Sequence, residues 1–148
     1  MAENAFQLWS AVFANAATNL AVTTDDVMEA WGQSTVDRVK EVIENQEFDA
    51  VPLSPAWAAE KARLGLDPRI LIATGSMKDS FVFEYHGRNE GLDIGTENEE
   101  DGMKAMAHEF GVPERNIPAR PFFYQTLEEE LEKLEDLIDI IMAEALAI

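Results

Sequence analysis

The chain has 148 residues, no cysteine, and 29 Asp plus Glu against 11 Lys plus Arg, a formal net charge of −18. That length suffices for a single domain with a buried core. The missing cysteines remove disulfide frameworks, thiolate metal sites and Cys nucleophiles, and fit synthesis in a reducing cytosol. No Lys/Arg cluster is present to hold a phosphate backbone, no apolar run approaches the roughly 20 residues of a membrane span, and the first residues lack the basic start of a secretory signal. A soluble, acidic chain without affinity for nucleic acid is expected.

Phe6, Trp9, Phe13, Ala16 and Leu20 recur at three- and four-residue spacing and predict a helix. Thr23 or Thr24 followed by Asp25 and Asp26 resembles an N-cap with acids at a positive helix start. A second helix is therefore predicted, with apolar positions Val27, Met28, Trp31, Val39, Val42 and Ile43. Gly32 to Thr35 weakens that pattern and predicts a kink or boundary. Ser54 as N-cap and Pro55 as first helical residue open a short helix to about Leu64, closed by Gly65. Within it Trp57 is expected to be a core anchor.

Ile70 to Ala73 is a branched apolar run and predicts a short buried strand, followed by a helical turn over Met77 to Ser80. Phe81, Phe83 and Tyr85 alternate with Val82, Glu84 and His86, and Leu92-Asp93-Ile94 alternates again after the turn-rich Gly87 to Gly91. An antiparallel hairpin follows from that period of two. Glu97 to Gly102 is nearly all acidic and is expected to be an exposed, mobile loop. Met103 to Phe110 predicts a short helix with Met103, Met106, Ala107 and Phe110 on one side, stopped by Gly111 and Pro113.

The stretch Ile117-Pro118-Ala119-Arg120-Pro121-Phe122-Phe123 excludes helix, because two prolines three apart fix φ and push Ile117 and Arg120 toward extended geometry. It is an edge strand or a stiff arm with two aromatic rings and one guanidinium to place. Thr126 with Glu129 three residues on forms a capping box, opening a C-terminal helix whose Leu127, Leu131, Leu134, Ile138, Ile141 and Ala145 make a seam. Leu137, Ile140, Met142 and Leu146 widen it. The seam faces either the domain core or another copy of itself.

These elements compose an α+β fold in a single domain over 1–148. N-terminal helices occupy 5–47, a sheet-containing region 66–123 and a C-terminal helix 126–147. A small antiparallel sheet is expected from Ile70 to Ala73, Phe81 to His86, Leu92 to Gly95 and the proline arm. Chemistry-bearing constellations are sparse. His86 and His108 lack metal-ligand spacing and are expected at the surface or in a capping role. Asp93, Glu97, Glu99, Glu100 and Asp101 lack the alternation of a calcium loop. Gly75-Ser76 is no phosphate loop, and Ser54, Ser76 and Ser80 have no nucleophile elbow. No enzyme, metal or cofactor is expected.

Five pieces taken in order do carry a resemblance: Leu53-Ser54-Pro55-Ala56-Trp57; Ile70-Leu71-Ile72 leading to Thr74-Gly75-Ser76-Met77 and Ser80-Phe81; Ile94-Gly95; Ala107-His108-Glu109-Phe110-Gly111; and Ile117-Pro118-Ala119-Arg120-Pro121-Phe122. Together they cover roughly half the chain and resemble the phage virion morphogenesis and tail-completion family, whose relatives include the neck proteins that join head to tail. The resemblance implies a structural virion protein at the neck or tail top, made in the host cytoplasm and without catalysis. Its subunits would form a ring of copies, six in a tail terminator, beside other neck or tail-tube proteins. DNA would pass through the ring without specific binding.

In such a ring the arm supplies the subunit-contact candidates Pro118, Arg120, Pro121, Phe122 and Phe123. The phenylalanines would fill a neighbour's pocket and Arg120 would pair with an acid of its own or the next subunit. The same residues could equally close the domain's own sheet. Two rivals come from other classes: an acidic protein mimicking DNA, and a small enzyme in which His86 or His108 meets convergent carboxylates.

Overall fold

The computed structural model describes residues 2–146, with side chains described from Thr24 to Ala145 and at a few exposed positions before them. The fold is α+β. Five helices and one two-stranded antiparallel sheet follow the order α1 (Ala2–Glu44), α2 (Pro55–Leu64), α3 (Ser76–Asp79), β1 (Phe81–Gly87), β2 (Gly91–Thr96), α4 (Glu99–Phe110) and α5 (Phe123–Leu146).

α1 is one helix of 43 residues, about 64 Å long, where two helices were expected. Neither Thr23-Thr24 nor Gly32 to Thr35 interrupts it. The break is absent at Gly32 because the glycine is used for packing: a Cβ there would lie 2.5 Å from Cδ2 of Phe83 and 2.8 Å from Cδ1 of Leu92. The hairpin β1–β2 thus sits directly on the α1 backbone. The stripe Phe6, Trp9, Phe13, Ala16 and Leu20 lies outside the described side chains, as does Leu146.

The second half of α1 supplies the core. Val36, Val39, Val42 and Ile43 are buried with Leu71, Ile72, Met77, Phe81 and Phe122. α5 lies antiparallel on the same helix, since Gln125 reaches the carbonyl of Glu47 while Trp31 donates from Nε1 to the carbonyl of Glu130 at 2.7 Å. Leu134 is buried in the α5 seam, whereas Leu131, Leu137, Ile138, Ile140 and Met142 remain exposed.

Residues 70–73 form no strand. Leu71 adopts φ +64, and the segment is a turn whose Leu71 and Ile72 still enter the core. Its polar backbone is satisfied from outside: Gln46 bonds both the N–H and the carbonyl of Ile70. The sheet therefore consists of the hairpin alone, paired from Phe81↔Thr96 to Tyr85↔Leu92, with an irregularity before Gly87↔Gly91.

The acidic tract is helix rather than loop. Asn98 caps α4 by accepting from the Asp101 N–H, and Glu99, Glu100 and Asp101 occupy the first turn, where carboxylates meet the positive helix end. α5 starts at Phe123, three residues before the predicted cap. Thr126 instead is buried and donates to the carbonyl of Phe122 at 2.6 Å.

Candidate functional site: the proline arm and the cavity beside it

The arm is docked within its own chain through contacts at each step. Val112 and Ile117 exchange backbone hydrogen bonds of 2.8 and 3.1 Å across a 3-10 turn at Pro113–Arg115, with Asn116 in the left-handed region at φ 55. Gly111 makes this return possible. It has φ +74, and a Cβ there would lie 2.8 Å from the Ala119 nitrogen and 3.0 Å from the Ile117 carbonyl oxygen.

The Arg120 N–H then donates to the His108 carbonyl at 2.7 Å. Its side chain is 5% exposed and donates from Nε to the Val51 carbonyl at 2.7 Å and from Nη2 to the Pro52 carbonyl at 3.3 Å. No carboxylate pairs with it among the described residues. Within the chain, backbone oxygens thus stand where an acid of its own subunit was expected. Phe122 is 0% exposed and meets Phe81 edge-on at 6.0 Å, so it fills its own core rather than a neighbour's pocket. Phe123 is half-buried and stacks on Phe81 at 5.8 Å; Pro118 is half-buried and Pro121 exposed.

Glu109 locks the junction between arm and last helix. Its buried carboxylate accepts from the N–H groups of Phe122, Phe123 and Tyr124 at 2.9, 3.0 and 3.2 Å. These are orphan donors at the start of α5, so a side chain from α4 performs the capping that the sequence assigned to Thr126.

Between α2, the 71–77 turn, α4 and the arm lies a cavity of about 610 Å³. Its walls include Leu53, Ser54 and Trp57, Leu71 to Met77, Lys104 and His108, then Arg115 to Pro118 and Arg120. Four of the five segments that carry the family resemblance, far apart in sequence, meet there; Ile94-Gly95 does not. Trp57, expected as a core anchor, is 43% exposed on this wall.

The electrostatics of the cavity oppose those of the chain. Lys61, Lys104, Arg115 and Arg120 line it, and no Asp or Glu does. Lys61 is buried and donates from Nζ to the carbonyls of Arg69 and Ile72. Burial lowers its pKa, with Arg120 adding to the effect and Asp67 opposing it. Burial likewise lowers the pKa of Arg120. Lys104 is neutralised by Glu100 at 2.8 Å and Asp101 at 3.2 Å. Arg115 has no ion pair among the described residues.

His108 is half-buried, and its Nδ1 is enclosed without a hydrogen-bond partner. Its pKa is lowered, first by burial and then by Arg120 and Lys61. His86 lies instead on the exposed hairpin, bonded to Asp93 at 2.9 Å. His86 thus meets Asp93 and, at 3.9 Å, Glu84 outside the cavity, while His108 lines the cavity with no carboxylate in its wall. Among the described residues no group of three acidic or histidine side chains is placed to hold a metal ion.

The sequence reading missed Lys61, Lys104 and Arg115 as site residues, and Glu109 as a cap. A signal was present for two of them. Trp57 and Lys61 on α2, and Lys104 and His108 on α4, are each four apart and share a helix face.

No family model matches the chain, and no solved structure does. An uncharacterized protein of the archaeon Methanocaldococcus jannaschii is 26% identical over 106 residues, covering 72% of this chain and 77% of that protein.

Proposed function

We propose that the chain is a structural protein of a tailed-phage virion, acting at the head–tail neck or the tail top as one subunit of a ring around the DNA channel. The observation that carries this reading is the convergence at one cavity of four segments, 53–57, 70–77, 107–111 and 117–122, whose order along the chain resembles the tail-completion family. These segments line one cavity in this chain, the proline arm among them, and that convergence supports reading them as one unit rather than as isolated turns.

The ring contact falls on other residues than those first suggested by the arm. Met103, Met106 and Phe110 form an exposed stripe on α4, continued by Tyr124, whose ring lies 5.8 Å from that of Phe110. Leu137, Ile138 and Ile140 expose a second apolar surface on α5. Two different apolar surfaces on one chain suit heterologous contacts, in which one surface of each subunit meets the other surface of the next and the ring closes. Acidic residues on the inner wall would repel passing DNA and keep it from adhering.

Sedimentation of the full chain followed by negative-stain class averages tests the proposal. A closed ring near six subunits is expected, broken to smaller species by Met106→Glu together with Phe110→Glu. A monomer or isologous dimer at every concentration would overturn it and favour the DNA-mimic alternative, which a competition assay against a basic nucleic-acid-binding enzyme would then support.

A further inference from the structure

In a chain with 29 acids, a cavity lined by four cations and no carboxylate needs a reason. Ordinary pairing supplies one only for Lys104, which Glu100 and Asp101 neutralise. Buried charges are costly unless matched, yet Lys61 and Arg120 bond only backbone carbonyls, and Arg115 stands unpaired at the same wall. The carbonyl bonds engage Nε and Nη2 of Arg120, leaving Nη1 for another acceptor. The enclosed Nδ1 of His108 is a further polar atom with nothing to bond.

The remaining wall is apolar. Trp57, Leu71, Ile72, Met77 and Ile117 surround the charged groups. At about 610 Å³ the space is far larger than a bare inorganic ion and falls in the range of small-molecule sites. Cationic donors converging on an apolar enclosure match a ligand with one anionic end and an apolar or aromatic body.

We propose that this cavity is a binding site for an organic carboxylate, with Lys61, Arg115 and Arg120 receiving the anion and Trp57 covering the apolar body. Arg115 suits the planar carboxylate, which its guanidinium can engage with two parallel hydrogen bonds, and Arg120 adds a single bond from Nη1. The carboxylate is either that of a free small molecule or a side chain presented by a second copy of the chain.

Benzoate is the probe, titrated into the full chain at matched ionic strength by calorimetry and thermal unfolding. Saturable binding is expected with half-saturation at about millimolar concentration, the range open to so small a ligand. Inorganic phosphate should bind at least about tenfold more weakly, since it lacks the apolar body. Arg115→Glu, at an exposed and unpaired position, should weaken benzoate binding at least about tenfold. Arg63→Glu makes the same charge change outside the cavity and should leave it unaltered.

Sedimentation separates the two sources. A mass lowered by saturating benzoate and by Arg115→Glu assigns the carboxylate to a second copy, and a mass unmoved by bound benzoate assigns it to a free ligand. The proposal is overturned if benzoate has no saturable effect while Arg115→Glu leaves the mass unchanged. It is equally overturned if Arg63→Glu weakens binding as much as Arg115→Glu, or if phosphate binds as well as benzoate.

Discussion

Glu109 concentrates more backbone bonding than any other single side chain in the arm region: one buried carboxylate serves three N–H groups. Glu109→Ala leaves those donors without an acceptor at a helix start and opens space behind them, so a loss of about 2 to 3 kcal/mol is expected in urea unfolding. Glu109→Gln keeps one carbonyl acceptor and should lose less. Equal losses for the two variants would show that volume, not hydrogen bonding, sets the effect. The two histidines give opposite pH signatures. Burial lowers the His108 pKa, so the unfolded chain takes up the proton first; the contribution is complete above the ordinary value of about 6.5 and lost as pH falls. The bond to Asp93 raises the His86 pKa, so its contribution is complete below that value and lost as pH rises through the folded pKa. His108→Gln should therefore flatten the decline in urea midpoint from about pH 7 to pH 5, and His86→Gln should flatten a smaller decline on the alkaline side. A His108→Gln profile parallel to that of the parent chain would refute this assignment.

At the scale of elements, Gly32 decides how helix and hairpin meet. Helix propensity alone would make Gly32→Ala stabilising by about 1 kcal/mol. The added methyl, however, would sit 2.5 Å from the Phe83 ring and 2.8 Å from Leu92, and overpacking costs about 1 to 3 kcal/mol. The larger effect should win, giving a net loss by urea unfolding; a stabilised variant would mean that the hairpin shifts freely on α1. This glycine also marks where the sequence was legible and where it was not. α2 was readable from Ser54, Pro55 and Gly65 because all three act locally, and Ser54 does accept from the Trp57 N–H with Gly65 in the left-handed conformation. The hairpin was readable for the same reason, its alternation being a local period. Local signals misled wherever a distant partner replaced them: Gly32 looked like a breaker but admits Phe83, and Thr126 looked like a cap although Glu109 does that work. Leu71 looked like strand, yet Gln46 satisfies the backbone beside it. The acidic 97–102 tract was misread as a loop because Asn98 caps the helix and Asp101 bonds Ser76, Asn98 and Lys104, while Glu97, Glu99 and Glu100 remain exposed as expected. The cavity was half-hidden because its cations come from three stretches far apart in sequence, around Lys61, Lys104 and Arg115 to Arg120, and the helical pairs Trp57–Lys61 and Lys104–His108 show only parts of it.

For the whole molecule the dominant quantity is the net charge of −18, which makes compaction work against mutual repulsion. Two opposed salt effects follow. Screening weakens ion pairs such as Arg69 with Asp67 and Glu44, or Lys78 with Glu44, but each exposed pair contributes only about 0 to 1 kcal/mol. Screening also weakens repulsion among carboxylates that have no basic partner, and the excess of acids means that most have none. This second effect acts over the whole surface, and the screening length shrinks from about 10 Å at 0.1 M salt to about 3 Å at 1 M. Repulsion should therefore dominate, and the urea midpoint should rise as sodium chloride is increased from about 0.1 M to about 1 M. In the proposed ring the same screening would bear on assembly, because the apolar surfaces exposed on α4 and α5 would meet only when two strongly negative copies approach. Self-association should strengthen over that salt range together with stability. A midpoint that falls with salt would mean that the ion pairs outweigh the repulsion. A midpoint that rises while the sedimenting mass stays constant would mean that the contact between copies is not limited by charge, and that an acidic surface acts on the fold alone.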